Sequence, residues 1–129
     1  MTALISVPIS IGELWDKYSI LLIKLEKIKD SNKLKFVSIE ADKLRELMNQ
    51  YSFETDKLFF HLKEVNTILW NIEDKIRIKE KEKMFDEEFI ELARNVYYTN
   101  DKRADIKKQI NIKYNSIIHE VKDYVNYWN

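Results

Sequence analysis

The 129-residue chain has no cysteine, one glycine and one proline. Without cysteine there is no disulfide, no thiolate nucleophile and no Cys-type zinc site, and a reducing cytoplasm is the expected setting. So little glycine and proline predicts long helices joined by short links. An excess of either charge is also missing. Lys and Arg number 22, Asp and Glu 22, and the sequence pI is about 6.7. Nucleic-acid-binding domains usually carry a basic face and a high pI, so no nucleic-acid partner is expected. The longest apolar run, Ile20 to Ile23, is far too short to cross a membrane. The opening residues Met1 to Pro8 lack the charged region and long apolar core of a signal peptide, and no membrane partner is expected.

What the chain does have is apolar residues (45%) and charge (34%) in helical order. That is enough for one domain, residues 1–129, with a real core. The expected fold is all-α: an antiparallel helical bundle of four long helices, or five if the last one breaks near Asn100. Residues 1–9 read as extended and are closed by Pro8. Ser10-Ile11-Gly12-Glu13 then fits a capping box, in which the Ser10 hydroxyl bonds the Glu13 amide and the Glu13 carboxylate reaches back. The first helix starts at about residue 11 with the stripe Ile11, Leu14, Tyr18, Leu21, Leu25, Ile28, and Asp30-Ser31-Asn32 ends it. Its middle is apolar on several sides, as expected of a helix covered by more than one neighbour.

The second helix is expected over about 33–51, with Leu34, Val37, Ala41, Leu44 and Met48 facing the core and Leu47 alongside. Ser52 to Thr55 read as a turn and cap. The third helix carries an unbroken heptad stripe, Leu58, Leu62, Val65, Leu69, Ile72, Ile76, and dissolves into the charge run Lys79 to Lys83. Asp86 caps the last stretch, and Glu87 and Glu88 suit a helix N-terminus. From there to about 126 the sequence permits either one long helix or two. The seven-residue phase runs on across Asn100, whereas Thr99-Asn100-Asp101 is good N-cap chemistry.

One polar string interrupts this last seam. In steps of four and three the seam reads Phe89, Ala93, Val96, Asn100, Arg103, Lys107, Ile110, Tyr114, Ile117, Val121, Tyr124, Trp128. An amide and two cations stand where apolar residues are expected, and buried polar groups need partners. Asn100, Arg103 and Lys107 share one side of a continuous helix; Asp101 and Arg94 lie off it. An Arg fork and a Lys point charge suit a carboxylate or another anion. They suit a structural ion-pair network equally well.

A second candidate lies on the flank of the third helix. Asn66, Trp70, Glu73 and Arg77 follow the same spacing, with Asp74 beside them. An aromatic ring next to acid, amide and guanidinium can receive a sugar or nucleotide. It can also be a half-buried packing residue beside an ordinary i,i+4 ion pair. If the third and fourth helices are antiparallel neighbours, Glu73 and Asp74 face Arg103 and Lys107. On the first helix, Asp16 and Lys17 could reach the same bundle end as either cluster, but the sequence does not place them.

No metal or cofactor is expected. The two histidines, His61 and His119, lack the Glu-x-x-His spacing of di-iron bundles. Glu88-x-x-Glu91 and Glu120-x-x-Asp123 formally match the paired acids of all-α nucleotide pyrophosphohydrolases, but one helix would hold Glu91 and Glu120 about 43 Å apart. There is no glycine-rich phosphate loop and no Ser-His-Asp set.

Three strings taken together resemble a small bacterial and phage family, a domain of unknown function. They are Pro8-Ile-Ser-Ile-Gly-Glu-Leu-Trp-Asp-Lys17 running on to Glu26; Glu64-Val-Asn66, Leu69-Trp70 and Ile72-Glu73-Asp74 with Arg77; and Glu91-Leu-Ala-Arg94, Val96-Tyr97 and Thr99-Asn100-Asp101 with Arg103-Ala104 and Lys107. The chain departs from that pattern at Trp15 and Tyr18, which replace an aliphatic and a small residue. The resemblance covers nearly the whole chain and implies one helical domain, without a mechanism.

The functional expectation is a non-enzymatic binding module for a protein partner or a small anionic ligand, with a homodimer open through the terminal aromatics Tyr114, Tyr124, Tyr127 and Trp128. The competing class is a metal-independent enzyme on an anionic metabolite, of the all-helical chorismate-mutase type, which needs a closed pocket holding unpaired cations. A third is a purely structural or assembly protein.

Overall fold

A computed structural model describes residues 3–127. Among them are four helices and no strand: α1 (Ile11–Lys27), α2 (Ser31–Gln50), α3 (Lys57–Lys81) and α4 (Glu87–Lys113), with a 3-10 turn at Phe53–Thr55 before α3. Each helix begins on a side-chain cap. Ser10 accepts from the Glu13 amide, Asp30 from Asn32 and Lys33, Asp56 from Leu58, and Asp86 from Phe89. Such caps are each worth about 1 kcal/mol. Asp30 therefore starts α2 two residues earlier than its apolar stripe suggests. Asp56, one residue beyond the expected turn, starts α3.

The bundle is not four equal staves. α3 and α4 form an antiparallel hairpin, and α1 packs against α2, α3 and α4 alike, whereas α2 touches α1 and the 3-10 turn. This explains why α1 is apolar on several sides: Trp15, Tyr18, Leu21 and Ile23 are all buried. Trp15 and Tyr18 sit at the centre of the core cluster, with Leu14, Met48, Phe53, Phe59, Leu62 and Ile110. The Trp15 ring lies 5.0 Å from Phe53 and 5.3 Å from Tyr114, centroid to centroid. Leu47, expected alongside the core, is 44% exposed, because only the α1-facing side of α2 is covered.

α4 runs unbroken through Thr99, Asn100 and Asp101, so the cap chemistry there loses to helix continuity. It ends at Lys113, well short of 126. Asn115 adopts left-handed φ of 53°, and the Ser116 and Asn115 amides bond the Asn111 and Ile112 carbonyls. This is a Schellman stop with Asn in the position usually held by glycine. Beyond it, residues 117–127 form an irregular strap. Ile117 and Val121 are 98% and 87% exposed, so their place in the seven-residue phase is coincidental. Of the terminal aromatics, Tyr114 joins the core edge, Tyr124 is exposed, and Tyr127 packs on Tyr97 and Tyr98. Trp128 lies outside the described residues.

Candidate functional site

The polar island closes on α1. Asp16, 1% exposed, lies in the second turn of that helix. Arg103 grips its carboxylate through both oxygens: Nε donates to Oδ1 at 2.8 Å and Nη2 donates to Oδ2. From α3, the Asn66 amide donates to Asp16 Oδ1 at 2.9 Å and to Ser19 Oγ at 2.8 Å. Ser19 in turn donates to the Asp16 carbonyl. One turn along α4, Lys107 Nζ donates to Glu13 at 2.8 Å and to Glu120 of the strap at 2.9 Å, and stands 3.7 Å from Asp16.

The electrostatics follow from this packing. Burial pushes the Asp16 carboxyl up, but its bonds from Arg103 and Asn66 and the nearby charges of Arg103 and Lys107 outweigh that, and it sits below its ordinary value. Burial pulls the Lys107 ammonium down, and Glu13 and Glu120 more than offset the loss. The bond from Lys107 likewise lowers Glu120. Unpaired, any of these charges would be costly to bury; here each is met.

The same contacts bring α1 and α4 close. Asn111 Oδ1 accepts from the Gly12 amide at 2.7 Å, and Ser116 Oγ from the Ile11 amide at 3.2 Å. A Cβ on Gly12 would stand 2.7 Å from the Lys107 carbonyl oxygen. The single glycine thus serves close approach rather than a turn. With Ser10 bonding the Glu13 amide, three first-turn donors of α1 are satisfied. The Glu13 carboxylate does not reach back as a capping box requires; it is spent on Lys107, with Lys17 at 3.7 Å.

Beside the network is a cleft of about 380 Å³ between α1, α3 and α4. Ile20, Ile23 and Leu69 form its apolar wall, and Asn66, Trp70, Glu73, Asp74, Arg77 and Arg103 supply its polar lining. The expected α3 flank is therefore a real surface, and Arg103 joins it. Glu73 and Asp74 do not neutralise Arg103 and Lys107, which are held instead by Asp16, Glu13 and Glu120, because α1 and the strap lie against that side of α4. Glu73 pairs with exposed Arg77 at 3.4 Å. Lys107 opens on a different hollow, of about 500 Å³, with Asn111, His119 and Glu120.

Of the remaining candidates, Asn100 stays beside Arg103, whereas Arg94 and Asp101 lie outside the network. Arg94 donates to Glu91 and to the Tyr98 hydroxyl on the outside of α4. Asp101 accepts from the Tyr127 hydroxyl and ties down the strap; burial and Asp101 push that hydroxyl up to about 12. Asn100 accepts from Arg103 Nη1 at 3.4 Å. The residue that sequence reasoning left unplaced is the hub itself, Asp16. A signal was present, since Asp16 is an acid between Trp15 and the apolar run of the most apolar helix.

A family model, DUF6165, described as a family of unknown function, matches residues 5–127. The chain belongs to this family. The DUF6165 match spans every residue of the network and the cleft, which agrees with the expectation of a family of unknown function over nearly the whole chain. Searches of the curated proteins and of the solved structures each gave no significant match. Among the described residues, no group of three or more His, Cys, Asp or Glu side chains is arranged to hold a metal ion, and no helix is long and apolar enough to cross a membrane.

Proposed function

We propose that this DUF6165 chain is a non-enzymatic binding module that takes a carboxylate or phosphate group, of a small ligand or a protein partner, in the cleft at Arg103. The observation that carries this reading is the state of the guanidinium. Three of its five N–H donors are used, by Asp16 and Asn100, which leaves one on each Nη. The side chain is 25% exposed and lines the cleft. A guanidinium already locked to a buried carboxylate is a rigid fork, and little ordering is needed when an anion docks on its outer edge. Half-buried Trp70 offers a flat wall for the rest of the ligand, and 79% exposed Arg77 a second cation at the rim.

The competing isomerase reading needs a closed pocket with unpaired cations. Arg103 and Lys107 are both ion-paired, and the cleft is open, so the geometry favours binding over catalysis. A titration tests it. Carboxylate and phosphate compounds are added while tryptophan fluorescence and thermal unfolding are followed. Saturable binding by wild type, lost in Trp70→Ala and weakened in Arg77→Ala, supports the site. The reading fails if no anion binds, or if both variants bind as wild type does.

A further inference from the structure

α2 carries an exposed row that the cleft reading does not use. In steps of three and four it runs Lys33, Phe36, Glu40, Lys43, Leu47, Gln50, and all six are exposed. Phe36 is 72% exposed, and Ile39 at the row's edge 53%. The opposite face of the same helix is the one that packs on α1, through Ala41 and Met48, both fully buried. Among the described residues, Lys33, Glu40 and Lys43 make no ion pair within the chain.

The row is complementary to itself when reversed. About a point midway between Ala41 and Asp42, Phe36 maps onto Leu47, Glu40 onto Lys43, and Lys33 onto Gln50. Two antiparallel copies of α2 would therefore form a central layer of two Glu40–Lys43 pairs, flanked on each side by Phe36 against Leu47. That is the a-to-d pairing of an antiparallel coiled coil. Parallel copies in register would set Glu40 against Glu40 and Lys43 against Lys43, which is repulsive. The charges thus choose both the occupant and its direction. A two-fold interface uses one patch twice and must be complementary to itself in this way.

We infer that the outer face of α2 is a homodimer interface, in which α2 pairs antiparallel with α2 of a second copy. The helix is only about 30 Å long, so the contact is at the small end of specific interfaces and the dimer is reversible.

Sedimentation velocity over a concentration series tests this. The wild-type mass should rise from 15.6 kDa towards twice that value. Lys43→Glu, which sets a glutamate against Glu40 of the other copy, should abolish the rise. Adding Glu40→Lys to it restores opposite charges and should restore the dimer. All these positions are solvent-facing, and circular dichroism checks that each variant is folded. Direction is read by cross-linking, since the chain has no cysteine of its own. Phe36→Cys chains mixed with Leu47→Cys chains should form a disulfide between unlike chains. Phe36→Cys alone should not link, because its two copies would lie about 16 Å apart along the axis. A wild type that stays monomeric, a Lys43→Glu variant that still dimerises, a double variant that stays monomeric, or Phe36→Cys linking to itself would each overturn the inference.

Discussion

Replacing Gly12 by alanine sets two effects of opposite sign against each other. On propensity alone the change is favourable, by at most about 1 kcal/mol and less in a first helical turn. Against it stands the contact with α4. The new methyl would lie 2.7 Å from the Lys107 carbonyl oxygen and 2.9 Å from Asn111 Oδ1, where ordinary contact begins at 3.4 Å. The nearer atom is backbone and cannot swing aside, so α1 and α4 must separate. Overpacking of this kind costs about 1–3 kcal/mol. Separation also stretches the buried Gly12–Asn111 hydrogen bond, and an orphaned buried partner costs about 1–3 kcal/mol more. Sterics and the hydrogen bond outweigh propensity, and Gly12→Ala should lose about 2–3 kcal/mol net. Urea unfolding followed by far-ultraviolet circular dichroism reads this as a lower midpoint at unchanged slope. A cycle with Asn111→Ala refines it. With the carboxamide gone, one clash and the hydrogen bond vanish together, so the two substitutions should couple by about 0.5–2 kcal/mol. A Gly12→Ala protein as stable as wild type would refute the close approach of the two helices.

The buried carboxylate sets an acid limit. Because the folded protein holds Asp16 below its unfolded value, the stability it contributes is present above that unfolded value and is lost as pH falls through the depressed one. Asp16→Asn keeps the shape but strands the Arg103 guanidinium. It should destabilise the protein by a few kcal/mol at neutral pH, since one partner of a buried pair is removed, and should flatten the acid limb of a stability-versus-pH curve. An acid limb of unchanged steepness would remove Asp16 from the account. At the other end of the molecule, Lys83 holds left-handed φ of 58° where α3 stops. Lys83→Gly should relieve that strain and, after the added freedom of the unfolded chain, stabilise by about 0.5–1 kcal/mol; an equal or lower urea midpoint would contradict this.

Much of the bundle could be read directly from residue spacing. The heptad stripe of α3 and the caps at Ser10 and Asp86 are local signals, and local signals suffice to place helices. Two things escaped for different reasons. The end of α4 at Lys113 was hidden because Ile117, Val121 and Tyr124 keep the seven-residue phase after the helix has stopped, while the stop itself is signalled only by Asn115 and Ser116. The hub of the network was hidden because its bonds span great sequence distances, from Asp16 to Asn66 and Arg103. The polar residues of α4 could be singled out, but not their partners. The acids of α3 were the nearer guess in sequence, and α1 lies in the way.

The first turn of α1 is completed by Asn111 and Ser116, residues 99 and 105 positions further along the chain. A ribosome makes a chain from its N-terminus, so α1 waits for side chains made about 100 residues later. At about 5–20 residues per second that delay is roughly 5–20 s. Through that interval Trp15, Tyr18 and Asp16 have neither α4 nor, at first, α3 to cover them. The clasp that closes the finished bundle therefore delays folding until α4 has been made, and the nascent apolar helix is the part of this bundle that most needs shelter until then.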